Sequence, residues 1–208
     1  MHTSKDYPVA EAALESGEVV ADILMRGDVL ADIPLIGTAI KICKAADSIR
    51  DRAFAIKLSR FILNLGSITE EQKNKLKEKM GAGTEEAQKI GETLLFVLER
   101  VTDLDKPFLL SQIFLAYVDG VVSSDELRRL CQAVDIAFAD DLQQLLAAKI
   151  IPEESNEPWM LYLVASGLTQ LATSTMFDDA GRLYCVITPL AQKLRSIYSH
   201  GRKPTAKL

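Results

Sequence analysis

The stretch from Phe108 to Val118 constrains the fold more than any other part of the chain, because almost every side chain in it is apolar. It follows Pro107, and proline is favoured in the first turn of a helix. A helix that is apolar on all sides has to be buried. We therefore expect residues 108–118 to form a central helix around which the rest of the fold packs.

Most of the remaining chain also predicts helices. Thr69–Gln72 and Ser123–Glu126 have the spacing of capping boxes, which mark helix starts, and Thr84 is a further candidate cap. Three segments repeat apolar residues at the helical period, which predicts one buried stripe on each helix. These stripes are Phe54, Leu58, Phe61, Ile62 and Leu65; Ile90, Leu94, Val97, Leu98 and Val101; and Leu127, Leu130, Cys131, Val134 and Phe138.

The C-terminal quarter has a different character. Residues 152–158 are polar and bounded by prolines, which is typical of a linker. Residues 159–166 predict a helix ended by Gly167, residues 182–187 alternate like a strand, and Thr188 can cap a final helix. The predicted fold class is mainly α: a helical-bundle body over 9–150 and a small winged-helix-like α+β unit over 158–199. Residues 1–8 and 200–208 are expected to be flexible tails.

Two short segments carry the winged-helix resemblance. They are SGL at 166–168 and YCVITPLAQKL at 184–194, which resemble the ending of winged-helix domains, although Ala191 stands where that family commonly has glycine. In the family, the helix before the wing usually reads DNA. Its equivalent here, residues 158–167, contains no Lys, Arg, Asn or Gln. Because cations hold phosphates and hydrogen-bonding side chains read bases, we expect this helix to serve packing or protein contact.

A second, weaker resemblance lies at residues 119–127, DGVVSSDEL. This segment resembles the turn between two helices of tellurite-resistance TerB-like domains. It also resembles half an EF-hand, but that alignment puts Leu115 and Tyr117 at ligand positions, where calcium needs oxygen atoms. The overall layout resembles small uncharacterised bacterial proteins with a basic N-terminal helix and a winged end, which implies a link to phage or mobile-element biology.

Residues that could carry chemistry are scarce. The two histidines, His2 and His200, both lie in predicted tails, so a Ser-His-Asp or Cys-His site would need one of them folded into a cleft. The spacing of Cys43, Cys131 and Cys185 matches no zinc pattern. We therefore predict no catalytic, cofactor-binding or metal-binding residues, and a protein that is not an enzyme.

The expected location is the cytoplasm of a bacterium. Three widely separated cysteines fit a reducing compartment better than a disulfide framework. The polar start at 1–8 lacks the apolar region of a secretory signal. The chain also has no run of about 18 apolar residues, so a transmembrane helix is not expected.

Residues 41–60 form a candidate basic face. They carry six cations against Asp47 and Asp51, although the net charge of the chain is −5. Such a face could meet an acidic partner, phosphates or lipid heads, or it could simply be solvated. The six cations are Lys41, Lys44, Arg50, Arg52, Lys57 and Arg60.

The leading hypothesis is a non-enzymatic protein-interaction or regulatory module that binds a partner protein or a second copy of itself. Candidate contacts are the aromatic residues Tyr162, Phe177 and Tyr198, because aromatic side chains dominate many interfaces. One alternative is a DNA-binding regulator that uses the winged unit. The other is a membrane-acting effector that uses residues 28–46. Its apolar stretch 33–43 has Lys41, Lys44 and Arg50 on the C-terminal side, whereas Asp28 and Asp32 disfavour deep insertion.

Overall fold

Helices dominate the computed structural model, which describes residues 49–65, 69–80, 84–151, 155–173 and 181–201. Within these residues, the only sheet has two antiparallel strands and lies near the C-terminus. The predicted fold class, a helical body with a small C-terminal α+β unit, is confirmed. The chain divides into two compact units, Met1–Ser111 and Gln112–Leu208. The predicted domains, 9–150 and 158–199, place the division later in the chain.

In the described part of the first unit there are three helices and the start of a fourth. They are α1 (Ile49–Leu65), α2 (Glu70–Met80), α3 (Glu85–Arg100) and α4 (Lys106–Val118), which continues into the second unit. Helix α3 contacts both α1 and α2. The predicted stripes of α1 and α3 are buried, with only Phe54 partly exposed.

The predicted helix starts are confirmed by their hydrogen bonds. The main-chain N–H of Thr69 donates to Gln72 Oε1 at 3.0 Å, and the N–H of Gln72 donates to Thr69 Oγ1 at 3.2 Å. Thr84 Oγ1 accepts from the N–H of Ala87 at 3.2 Å. These bonds satisfy N–H groups that have no acceptor inside their own helix.

Helix α4 contains the apolar run at 108–118. Its side chains are buried on nearly every side, including the fully buried Leu110, Ile113 and Phe114. The prediction of a buried helix here is confirmed.

The described residues of the second unit form four further α-helices and the sheet. In chain order its elements are α5 (Ser124–Ile136), α6 (Ala139–Ala147), α7 (Pro158–Tyr162), a short 3₁₀ helix (Leu163–Ser166), β1 (Thr169–Thr173), β2 (Leu183–Ile187) and α8 (Pro189–Gly201). The capping box at Ser123 and Glu126 is present. Gly167 ends the 3₁₀ helix with φ +74°, a conformation that favours glycine.

The buried stripe predicted for α5 is wrong at its last residue. Helix α5 ends at Ile136, because Ala137 adopts an extended conformation with ψ 138°. Phe138 therefore leaves the register of the stripe and is 65% exposed. Leu127, Leu130, Cys131 and Val134 are buried as predicted.

Residues on both sides of the 152–158 segment pack together within the second unit. Helix α6, before the segment, contacts α7 and α8, which follow it. Ser155 inside the segment pairs with β2: its N–H donates to the carbonyl oxygen of Cys185 at 3.3 Å, and the N–H of Cys185 donates back at 2.7 Å. The segment is therefore a connection within one packed unit.

Candidate functional site

Two cations of the predicted basic face have internal roles. Lys57 is only 8% exposed, and its Nζ donates to the carbonyl oxygens of Glu99 at 2.6 Å and Val101 at 3.0 Å. These oxygens lie at the C-terminal end of α3, where carbonyl groups lack helical partners and the helix dipole favours a cation. Arg60 Nη1 donates to the carbonyl oxygen of Leu104 at 2.9 Å. Both side chains therefore hold the first unit together.

Of the other four cations of that face, the structure describes the side chain of only one. Arg52 is exposed on α1. Arg50 is helical, but its side chain is not described, and Lys41 and Lys44 lie outside the described residues, as does the membrane candidate 28–46. A basic face formed by all six residues stays a prediction.

A groove of about 240 Å³ lies between α1 and α3. Its apolar wall includes the exposed ring of Phe96, and Lys57 lies at its buried side. The groove is small, and its charged lining residues are two acids and one lysine, with no histidine, cysteine or serine among them. Its lining residues are Asp51, Ala53, Phe54, Lys57, Leu95, Phe96 and Glu99.

The predicted aromatic contacts occupy different environments. Tyr162 ends α7 and is 65% exposed. Tyr198 on α8 is partly buried, and Phe177 lies outside the described residues. Of the three, Tyr162 is the one that the structure shows fully available to a partner.

Tyr162 is one of four large exposed side chains that lie on α7 and on the sheet that α7 contacts. Leu161 beside it is also exposed, and α7 contacts both strands. On the sheet, Leu171 is 49% exposed and Leu183 is 56% exposed. We call these four residues the leucine–tyrosine surface.

The strand register explains why the two leucines share a face. Side chains alternate across a strand, so Thr169 and Leu171 point to the same side of β1. Leu171 pairs with Cys185, which makes Leu183, two residues earlier, its diagonal neighbour. The hydroxyl of Thr169 donates to the carbonyl oxygen of Met160 in α7 at 2.5 Å. Helix α7 therefore covers one end of this face and leaves the leucine end in solvent.

No family model, no curated protein and no solved structure matches this chain. The candidate surface is therefore interpreted from its own chemistry.

A second group of exposed apolar side chains flanks α6. Phe138 holds the N-cap position of this helix and makes no capping hydrogen bond, although N-caps favour Ser, Thr, Asp and Asn. Ile136, before α6, and Ile150, after α6, are also exposed. Sequence periodicity does not predict this group, because Phe138 continues the pattern of α5. The signal that could have found it is the missing capping residue before Asp140 and Asp141.

Two cysteines of the described residues, Cys131 and Cys185, are buried. Burial raises the pKa of the Cys131 thiol to about 12 and also raises the pKa of Cys185. A thiol is nucleophilic only as the thiolate, so burial disfavours the reactive form of both side chains. Among the described residues there is no group of three or more His, Cys, Asp or Glu side chains that could hold a metal ion. No helix in the described ranges is long and apolar enough to cross a membrane.

Proposed function

We propose that the protein is a non-enzymatic protein-interaction or regulatory module of a bacterial cytoplasm. The observation that carries this proposal is the leucine–tyrosine surface, where four large apolar side chains remain in solvent on rigid elements of one packed unit. Single exposed apolar residues are common, but a group on adjoining elements is typical of a contact surface.

Tyr162 is the proposed anchor of this surface. A tyrosine offers a large ring and a hydroxyl group at low cost in side-chain entropy, and tyrosines are enriched among residues that dominate binding energy. The three leucines provide apolar area around it, which excludes water from the contact. The partner that fits such a surface is a protein with an apolar patch.

A DNA-binding regulator remains the alternative. The side chains that α7 exposes are Pro158, Leu161 and Tyr162, and none of them is a cation that could hold a phosphate. This favours the protein-interaction hypothesis over the DNA hypothesis for this helix. The membrane-acting alternative depends on residues 28–46, which lie outside the described residues.

Co-purification of the tagged full-length chain from its native host tests the proposal. The buffer is free of detergent, and the lysate is divided into a nuclease-treated and an untreated portion. We expect one protein to be recovered in fixed stoichiometry with the wild type after nuclease treatment, and recovery to fall about tenfold or more with Tyr162→Ala. Phe96→Ala is the matched control, because it truncates an exposed aromatic side chain in the other unit.

Three outcomes would contradict the proposal. Recovery that is unaffected by Tyr162→Ala but lost with Phe96→Ala would move the contact to the groove of the first unit. Recovery of nucleic acid alone, from the untreated portion, would favour the DNA hypothesis. A chain that captures nothing and stays monomeric would exclude an interaction module.

A further inference from the structure

Among the described residues, no strand pairs with the outer edge of β1. Strand β2 pairs with β1 along its length and with Ser155 at Cys185 on its other side. The N–H and carbonyl groups of Cys185 bond to Ser155, so they point away from β1. Cys185 and Leu171, which lie opposite each other in β2 and β1, therefore form a non-hydrogen-bonded pair. The N–H and carbonyl groups of Leu171 therefore point away from β2, and by the alternation of the ladder so do those of Thr173.

This edge lacks the features that normally prevent strand addition. Natural edge strands carry lysine, proline, bulges or inward-pointing charges that block pairing with another chain. Strand β1 reads TQLAT, and its register with β2 is continuous over all five residues. Within the described strand, neither a lysine, a proline nor a bulge therefore blocks pairing.

Accessibility along β1 sets which residues can pair. Thr169 is only 2% exposed, Leu171 is 49% exposed, and Thr173 is exposed. The usable part of the edge is therefore the C-terminal half of β1, around Ala172.

We propose that β1 pairs antiparallel with β1 of a second copy of this chain, about a two-fold axis at Ala172. Leu171 of each copy lies opposite Thr173 of the other, and the two hairpins form one continuous sheet. This inference rests on the proposed function, since it names the partner of part of the same surface.

The charge and shape of the edge favour a second copy. Like charges directly opposite each other destabilise a strand pair, and the strand contains none. The small side chain of Ala172 allows close approach at the axis. In this register the two Leu171 side chains become diagonal neighbours on one face, so each covers apolar area that the other leaves in solvent. The contact is its own complement, as a two-fold interface requires.

The size of the contact predicts a weak dimer. A few residues per strand and two leucines bury less than the roughly 1,200 Å² of a standard interface. We therefore expect a monomer at low concentration and a dimer in the high micromolar range or above, on the order of 100 μM.

Sedimentation velocity of the full chain over a concentration series tests the pairing. We expect the weight-average mass of the wild type to rise towards twice the monomer mass. Leu171→Lys should raise the dissociation constant about tenfold or more, because the two lysines would be diagonal neighbours across the axis. Ile150→Lys is the matched control, since it adds the same charge at an exposed position of the same unit.

A charge exchange tests the register itself. Thr173→Glu alone should weaken the dimer, but an equimolar mixture with Leu171→Lys should restore it. The reason is that the introduced ammonium of one variant faces the introduced carboxylate of the other only in the mixed pair. Circular dichroism confirms that each variant is folded. A mixture that stays monomeric would overturn the register.

Two further outcomes separate this inference from the proposed function. A wild type that is monomeric at the highest concentration, while Tyr162-dependent capture of a partner persists, would overturn the dimer and leave the proposed function intact. The wild type could also be monomeric and capture a partner that the Leu171→Lys variant does not capture. In that case the edge pairs with a strand of a different protein, and the proposal that the partner is a second copy of this chain is overturned.

Discussion

Arg195 Nη2 donates a hydrogen bond of 2.6 Å to the carbonyl oxygen of Ala148, so a side chain of α8 caps the C-terminal end of α6. Its Nη1 donates to the carbonyl oxygen of Leu145 in the same turn. One planar guanidinium thus satisfies two carbonyl groups at the end of a helix that is only nine residues long. This fork joins elements that lie on opposite sides of the 152–158 segment.

The first prediction concerns this fork. Arg195→Ala should lower the free energy of unfolding of the second unit by about 2 kcal/mol, since hydrogen bonds from charged groups contribute about that much. Arg195→Lys should recover only part of the loss, because an ammonium group cannot reproduce the planar fork. Urea unfolding followed by the fluorescence of Trp159, which lies in this unit, gives the measurement. Arg129→Ala, at an exposed position of α5, should change stability by less than about 0.5 kcal/mol.

The second prediction assigns Lys57 to the stability of the first unit. Lys57→Met keeps the apolar stem but removes the bonds to Glu99 and Val101, so it should lower the free energy of unfolding by about 2 kcal/mol. Far-UV circular dichroism during urea unfolding measures the change. Arg52→Met is the matched control on the same helix and should be nearly neutral. Equal effects of the two substitutions would mean that Lys57 does not have this capping role.

The difference between Lys57 and Thr69 shows what the sequence can and cannot reveal. The partner of Thr69 is three residues away, and a fixed local spacing with suitable side chains predicts such a bond. The partners of Lys57 are main-chain oxygens 42 and 44 residues away, and every residue type supplies a main-chain oxygen. The sequence therefore predicts a cation on a helix face, and only the packing of α1 against α3 determines that this cation is internal.

For Phe138 and Leu171 too, the sequence does not predict that the side chain is exposed. The apolar pattern of α5 continues to Phe138, but the backbone leaves the helix at Ala137, so periodicity assigns it to the wrong environment. Leu171 lies in a threonine-rich segment that pairs with the next strand, but its exposure depends on how much of that face α7 covers, which no local pattern gives. The sequence shows that Tyr162 is aromatic, whereas its exposure next to the buried Leu163 is set by the packing of α7.

The third prediction compares two fully buried serines. Among the described residues the hydroxyl of Ser59 has no hydrogen-bond partner, whereas that of Ser111 donates to the carbonyl oxygen of Phe108 at 2.6 Å. Burying an unpaired hydroxyl is costly, so Ser59→Ala should raise the free energy of unfolding by about 1 kcal/mol. Ser111→Ala should leave stability unchanged or lower it by about 1 kcal/mol. Urea unfolding of both variants decides this, and a loss of stability in Ser59→Ala would contradict it.

The fourth prediction concerns the buried carboxyl group of Asp141 in the first turn of α6. It is 7% exposed, and burial, followed by the charge of Asp140, raises its pKa above the ordinary value of 3.8. In the unfolded chain this carboxyl ionises at its ordinary pKa, while in the folded protein it keeps its proton to higher pH. The folded state therefore binds more protons in that window, and stability falls as the pH rises through it.

Asp141→Asn removes this loss, because an amide does not ionise. The variant and the wild type should have similar free energies of unfolding near about pH 3, where the Asp141 carboxyl is largely protonated in both the folded and the unfolded wild type. The variant should then become the more stable of the two as the pH rises, with the full difference reached by about pH 7. Urea unfolding followed by Trp159 fluorescence at a series of pH values measures the difference, in which the titration of groups that do not interact with Asp141 cancels. If the difference is constant with pH, Asp141 has the same pKa in the folded and the unfolded protein. If the variant is less stable than the wild type at neutral pH, the carboxylate stabilises the start of α6.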